Sequence, residues 1–174
     1  MKIVTTIAGA CALVAAVVVL AFLGLGEVRF WQLFGDSDLG AVKLETVQRR
    51  SSPNDALACP KEFCISRTDL TPAVYAVPTD VLRAAFAKVI ESEPKVTIVE
   101  KNDAEMTDRY VQRSAALGFP DTIVVKFLDR PGGQSTLALY SRSRFGESDF
   151  GANRARIERW LEKLASHAKP AASP

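Results

Sequence analysis

The chain has one histidine, His167, and only three cysteines among its 174 residues. That leaves too little material for a zinc cluster, which gathers four Cys or His donors. A Ser-His-Asp triad would have to recruit His167, seven residues before the C-terminus. A charge surplus is also missing: 22 Lys and Arg face 20 Asp and Glu, a net of +2. A general nucleic-acid binder would gather a basic excess on one face, so no nucleic-acid partner is expected. No internal repeat is visible. The chain does have apolar bulk. Its 48 % apolar and 24 % charged residues argue against wholesale disorder. The length allows one folded domain, at about 150 residues each, plus a short appendage.

The appendage is N-terminal. Residues 3–25, opened by Ile3 and closed by Leu25, are uncharged, and 19 of these 23 are apolar. As a helix the run covers about 35 Å, enough for a hydrocarbon core of about 30 Å. Residues 1–30 therefore read as a membrane anchor, with the bilayer as partner. A cleaved signal peptide is the competing reading, with Gly24-Leu25-Gly26 as a small-x-small exit. Cys11, without a lipoprotein leucine in Ala8-Gly9-Ala10, reads as an ordinary membrane-facing thiol. Lys2 favours a cytoplasmic N-terminus, against Arg29, Lys43, Arg49 and Arg50 on the other flank. Phe30 and Trp31 fall where an interfacial aromatic anchor sits, or else pack on the domain.

Residues 31–55 read as a tether, polar from Gly35 onward and broken by Ser51-Ser52-Pro53-Asn54-Asp55. Residues 56–168 read as the folded domain, and 169–174 as a disordered tail. Within the domain, 73–77 has the pattern of a short strand closed by Pro78. Thr79 then caps a helix on which Leu82, Phe86, Val89 and Ile90 recur at helical spacing up to Ser92. Strands are expected over 95–100, with Val96, Ile98 and Glu100 on one side, and over 107–115, 122–130 and 134–145. Pro131-Gly132-Gly133 marks a hairpin. Pairing across it would place Arg142 near Ile123 and Tyr140 near Val125, aiming Arg142 at the apolar side. Ile157, Trp160, Leu161 and Leu164 mark one face of a last helix. The expected fold is α+β: a mainly antiparallel sheet of about five strands with two helices packed on one face, preceded by one transmembrane helix.

Cys59 and Cys64 stand close enough for a disulfide that pins a loop. Free thiols or a redox or metal role are the other readings, although the spacing is not Cys-x-x-Cys. An exported domain fits the disulfide. Residues 140–157 are the densest polar feature. Tyr140, Arg142 and Arg144 share one face of a strand, with Ser141 and Ser143 on the other. Asp149 suits the cap of the last helix, and Asn153 and Arg154 lie at the edge of its apolar stripe. Glu158, Arg159, Glu162 and Lys163 read as solvated pairs. Arg142, Arg144, Arg154, Asp149, Asn153 and Asp121 could satisfy one another as a structural network. Alternatively they form an anion site, or a protein-docking patch. No catalytic set is expected: Ser141 and Ser143 lack a histidine base, and Glu100, Glu105, Asp108 and Asp121 are scattered. Lys126 reads as a solvent-facing charge and His167 as a surface residue. No cofactor and no metal site are expected.

The run Tyr140-Ser141-Arg142-Ser143-Arg144-Phe145-Gly146, continued by Asp149-Phe150-Gly151-Ala152-Asn153-Arg154-Ala155-Arg156-Ile157, resembles the signature of the domain of unknown function 1499 family. There a strand ends in an Arg-Ser-x-Ser-Arg-like run, followed by Gly-x-x-Asp-x-Gly-x-Asn-x-x-Arg-Ile. Cys59-Pro60 and Cys64 resemble the family's Cys-Pro and Cys, with four residues between the cysteines where many members have five. The likeness covers about residues 59–164. It implies an exported or membrane-attached bacterial protein and supplies no catalytic residue. Together these readings lead to an expected single-pass protein of a bacterial inner membrane, its domain on the periplasmic side. The expected role is non-catalytic binding of an anionic small molecule, a lipid headgroup or a membrane protein through Arg142, Arg144, Asp149, Asn153 and Arg154. The alternatives are a scaffold acting through a protein interface, or a thiol-dependent or hydrolytic enzyme.

Overall fold

The computed structural model describes residues 2–171. Helix α1 (Lys2–Gln32) and a 3-10 turn (Leu44–Thr46) precede strand β1 (Asp55–Ala58) and helix α2 (Thr79–Ser92). Strands β2 (Val96–Asn102), β3 (Thr107–Arg113), β4 (Pro120–Arg130) and β5 (Gln134–Ser143) follow, then helix α3 (Ala152–His167). The strands pair in the order β1-β5-β4-β3-β2, all antiparallel. The fold is α+β, as the pattern of helical and alternating segments predicts.

Both domain helices lie on one face of the sheet. Leu82, Phe86 and Val89 of α2 and Ile157, Trp160 and Leu164 of α3 meet Tyr110, Ile123, Val125, Phe127, Leu137 and Leu139. Phe86 is the hub, its ring 5.6 Å from Phe127 and 5.8 Å from Trp160. Each large side chain buried here is worth about 1.5–3 kcal/mol. Thr79 opens α2 without capping it: its hydroxyl bonds Asp129 instead, and Pro78 occupies the cap position.

The sheet's second face is covered as well, by the stretch expected to be a tether. Leu44 and Val47 pack with Leu57, Val124, Ala138 and Tyr140, beside the disulfide between Cys59 and Cys64. Polar bonds pin this segment. The Leu39 amide donates to Thr122 Oγ1 (2.8 Å), Asp38 pairs with Arg109 (3.1 Å), and Glu45 pairs with Lys126 (2.7 Å). Lys126 is thus held by a carboxylate rather than facing open solvent. With two faces covered, residues 120–125 of β4 are buried without alternation.

Several elements differ from the sequence expectation. The first strand is β1, not 73–77. Pro72 and Pro78 bracket that stretch, and only Tyr75 bridges, to Ser135 and Pro170. In β2 a bulge between Ile98 and Glu100 takes Glu100 out of phase with Ile98. The β4–β5 turn holds three residues, since Arg130 faces Gln134, and both glycines take positive φ (77° and 71°). Arg142 therefore faces Thr122, and Tyr140 faces Val124. This one-residue difference puts Arg142 on the face covered by the N-terminal segment, away from the helices. Of the residues expected to fray, Lys169 and Ala171 bond the backbone of Ala76 and Val74. Residues 172–174 lie outside the described residues.

Helix α1 is exposed along its apolar length, and Thr6–Gln32 is long and apolar enough to cross a membrane. Gly26, at φ 74° and ψ 160°, breaks it. Beyond that break Phe30 is buried, and Trp31 docks 4.3 Å from Phe119 and 5.1 Å from Phe145. Trp31 Nε1 donates to the Leu117 carbonyl at 2.7 Å, and Lys95 pairs with Glu27 at 2.8 Å. The helix thus meets the end of the sheet where β2 and β4 begin and β3 and β5 finish.

Candidate functional site

Polar groups gather at that same end, but on two separate faces. On the helix side Arg156 is the centre. It is one helical turn beyond Asn153 and adjacent to Ile157, so α3 carries it inward with the apolar stripe. Its Nη2 pairs with Asp121 at 2.6 Å and its Nε donates to Gln112 Oε1 at 2.5 Å. Its Nη1 donates to Ser141 Oγ (2.8 Å) and Asn153 Oδ1 (2.6 Å). Asn153 Nδ2 in turn donates to Ser143 Oγ, Asp149 and the Asn54 carbonyl. The Asp149 carboxylate accepts from the amides of Gly151 and Asn153, at 2.9 Å each, and so ties down the start of α3. Ser141 and Ser143 are both occupied, and neither has a base beside it.

This network continues into a second buried acid. Gln112 donates to Glu93 (3.2 Å), which also accepts from Arg159 (3.0 Å) and Lys163 (2.6 Å). Burial alone would raise the Glu93 pKa, but these donors hold it well below the usual carboxylate range, at about 2. Arg159 and Lys163, expected as solvated partners within their own helix, reach across to α2 instead. Arg154 lies on the outer side of α3 and pairs with Glu158 at 2.9 Å. It belongs to neither cluster.

The long Gly-to-Ile motif thus builds a closed, buried polar network. A family model described as a protein of unknown function (DUF1499) matches residues 45–164, about two thirds of the chain. The chain belongs to that family. No curated protein matches it. The DUF1499 match starts before β1, so it takes in Glu45 and Val47 of the stretch that covers the second face of the sheet, and begins just after Leu44.

On that second face the DUF1499 domain has a different kind of cluster. Arg142 Nη2 donates only to carbonyls, those of Leu39 (3.0 Å) and Gly40 (2.8 Å), and its buried Nε has no hydrogen-bond partner. Its guanidinium stands 5.9 Å from the centre of the Tyr140 ring. Burial, helped by repulsion from Arg50 and Arg109, lowers its pKa from the ordinary arginine value. Arg144 Nε donates to the Asp36 carbonyl (3.0 Å), and its guanidinium stands 5.3 Å from the centre of the Phe145 ring. Arg50 Nη1 donates to the Ser143 carbonyl (2.7 Å), between the two, and to Asn54 Oδ1 (3.3 Å). Among the described residues, none of these three arginines has a carboxylate within ion-pair distance.

Asp38 attracts Arg142 without reaching ion-pair distance, and it is itself paired with Arg109; Asp55, the other acid here, is engaged too. Asp55 accepts from Arg49 (2.7 Å), Tyr140 Oη (2.5 Å) and the Arg50 amide (3.1 Å). Burial opposes its ionisation, yet the bonds from Arg49 and Tyr140 keep its pKa below the ordinary value. Burial and the bond to Asp55 raise the pKa of Tyr140. Beside Arg50 opens a cleft of about 300 Å³ lined by Arg49, Arg50, Arg67, Ser51, Ser52, Pro53 and the acidic Asp55. Arginine forks and short hydroxyls are donor chemistry suited to an oxyanion, with the charge of Asp55 already offset by Arg49.

The structure therefore separates the expected site residues. Arg142 and Arg144 stand together on the second face; Asp149 and Asn153 lie in the network behind it, and Arg154 stands apart. Sequence reasoning missed Arg156, although its spacing from Asn153 and Ile157 places it on the buried stripe. It missed Arg50 because the segment was read as a linker. No signal in the chain couples Arg50 to Ser143 before the fold brings them together. The cysteines are joined, with Cα atoms 6.2 Å apart. Cys59 is fully buried, and His167 is exposed on the last turn of α3.

Proposed function

We propose that the protein is a membrane-anchored binding domain, with α1 as its anchor. Arg50, Arg142 and Arg144 and the adjoining cleft would receive an anionic group, a phosphate or a carboxylate. The observation that carries this reading is that, among the described residues, three neighbouring arginines lack a carboxylate partner while the buried Arg156 is fully paired. The length and apolarity of α1 support the anchor, and the disulfide supports an oxidising compartment such as the bacterial periplasm. Both a lipid headgroup and a free anion present the required oxygens.

The test uses the full chain in nanodiscs of neutral phosphatidylcholine, titrated calorimetrically with inorganic phosphate, then repeated with phosphatidylglycerol in the disc. The expected result is saturable phosphate binding that falls at least tenfold in Arg142→Gln and Arg50→Gln. Loss of phosphate binding when the disc carries phosphatidylglycerol identifies the headgroup as the occupant; unchanged binding identifies a free anion. No saturable binding, or binding indifferent to both substitutions, would overturn the reading.

A second reading, a scaffold working through a protein interface, has the outer edge of β2 in its favour. That edge has no strand neighbour among the described residues, and Ile98 and Val99 on it are exposed. Crosslinking from position 98 in intact membranes would capture a stoichiometric neighbour under this reading and none under the first.

A further inference from the structure

Phe150 combines two costs. Its φ is +53°, a conformation that bulky side chains rarely adopt, and its side chain is 98 % exposed. Packing does not explain it, because it touches no core. The turn holds it there: the Phe150 amide donates to Ser148 Oγ, while Asp149 binds the amides of Gly151 and Asn153 on the far side. Strain kept in place by fixed neighbours, with an aromatic ring presented outward, points to something outside the chain.

The position of the turn indicates what that is. It joins the end of β5 to the start of α3, at the end of the sheet that α1 meets. Five residues earlier, Phe145 packs against Trp31 and meets Phe34 edge-on, and Leu117 accepts the Trp31 hydrogen bond. Leu33, Phe34 and Leu117 are themselves exposed large apolar residues. Thr6 up to the break at Gly26 is a helix of about 30 Å, the thickness of the hydrocarbon core, so the residues just past the break emerge at its edge. Trp31 therefore falls in the headgroup layer, where aromatic side chains concentrate. The exposed ring and leucines lie on the same end of the domain.

We infer that Phe150, with Leu33, Phe34 and Leu117, inserts into the headgroup layer of the leaflet from which α1 emerges. The domain would then sit on the membrane with a fixed end down instead of swinging from its anchor. This contact depends on α1 being a membrane span, and it brings the arginine cluster at the same end close to the lipid surface.

Spin-label accessibility in the full chain tests it. In a Cys11→Ala background with the disulfide kept, nitroxides are placed by Phe150→Cys, Val14→Cys in α1 and Asp80→Cys at the opposite end of the domain. The chain is reconstituted in vesicles of phosphatidylcholine and phosphatidylglycerol, and collisions with oxygen and with a water-soluble nickel chelate are compared. The expected result is a preference for oxygen at 150 and 14, and a severalfold preference for the chelate at 80. A label at 150 that collides mainly with the chelate, while 14 reports lipid, would overturn the contact and leave the anchor standing. A water-exposed label at 14 would overturn both.

Discussion

The two faces of this sheet use the same residue in opposite ways. Behind the sheet, Arg156 is buried with Asp121, and every nitrogen of its guanidinium has a protein partner. In front, Arg142 is half-buried, only its Nη2 bonds protein, to two carbonyls, and its buried Nε is unmet among the described residues. A closed guanidinium holds a fold together, because breaking it strands a buried charge. An open one leaves bonding capacity for a ligand. The difference lies in the neighbours: α3 brings Asn153 and Arg156 to an acid, while the N-terminal segment offers Arg142 only backbone oxygens.

Removing the closed centre should have the largest effect. Arg156→Ala leaves Asp121 buried and unpaired, so unfolding by urea should show a loss of about 3–5 kcal/mol. Pairing Arg156→Met with Asp121→Leu should recover much of it, since an apolar pair strands no charge. If Arg156→Ala melts like the parent, the back network is not structural and the contrast fails.

The disulfide comes next. Cys59→Ser with Cys64→Ser releases a short loop, and the chain-entropy cost for five residues is about 2 kcal/mol. Measured stability should fall by that amount, with the second-face residues Leu44 and Val47 exchanging their amides faster. An unchanged midpoint would show that the covering segment holds without its pin.

Acid should weaken the back face. Glu93 titrates at about 2 in the folded chain against an ordinary value of 4.5. A depressed carboxylate stabilises the fold above its unfolded pKa, and that contribution is lost as pH falls from about 5 toward 2. Glu93→Gln should remove this part of the pH dependence, read from urea midpoints across that range. An identical acid profile in the variant would place the sensitivity elsewhere.

The smallest effect on stability is expected at the open arginine. Arg142→Gln breaks two bonds to carbonyls and no ion pair, so the loss should stay near 1 kcal/mol. Its phosphate affinity should nevertheless fall at least tenfold. A large destabilisation without a change in binding would make the front cluster as structural as the back one.

Much of this architecture is legible before any coordinates. The helical spacing of Leu82, Phe86 and Val89, the glycine hairpin and the apolar stripe of α3 reflect local rules that tertiary contacts leave intact. The second face was not legible. Val42, Leu44 and Val47 are too sparse to announce a covering layer, and the bonds of Leu39 and Glu45 span about eighty residues of sequence. Arg142 changed faces because one residue of turn length reverses a strand. The same distance effect hid half the site: Arg50 meets Ser143 only after β1 and β5 pair.

The most direct test of the contrast follows the arginine side chains themselves. In the full chain in neutral nanodiscs, Nε–Hε resonances are recorded during titration with inorganic phosphate. The contrast between the two faces predicts saturable shifts for Arg50, Arg142 and Arg144, with Arg156 unmoved. Stationary front resonances, or shifts shared equally by Arg156, would contradict it.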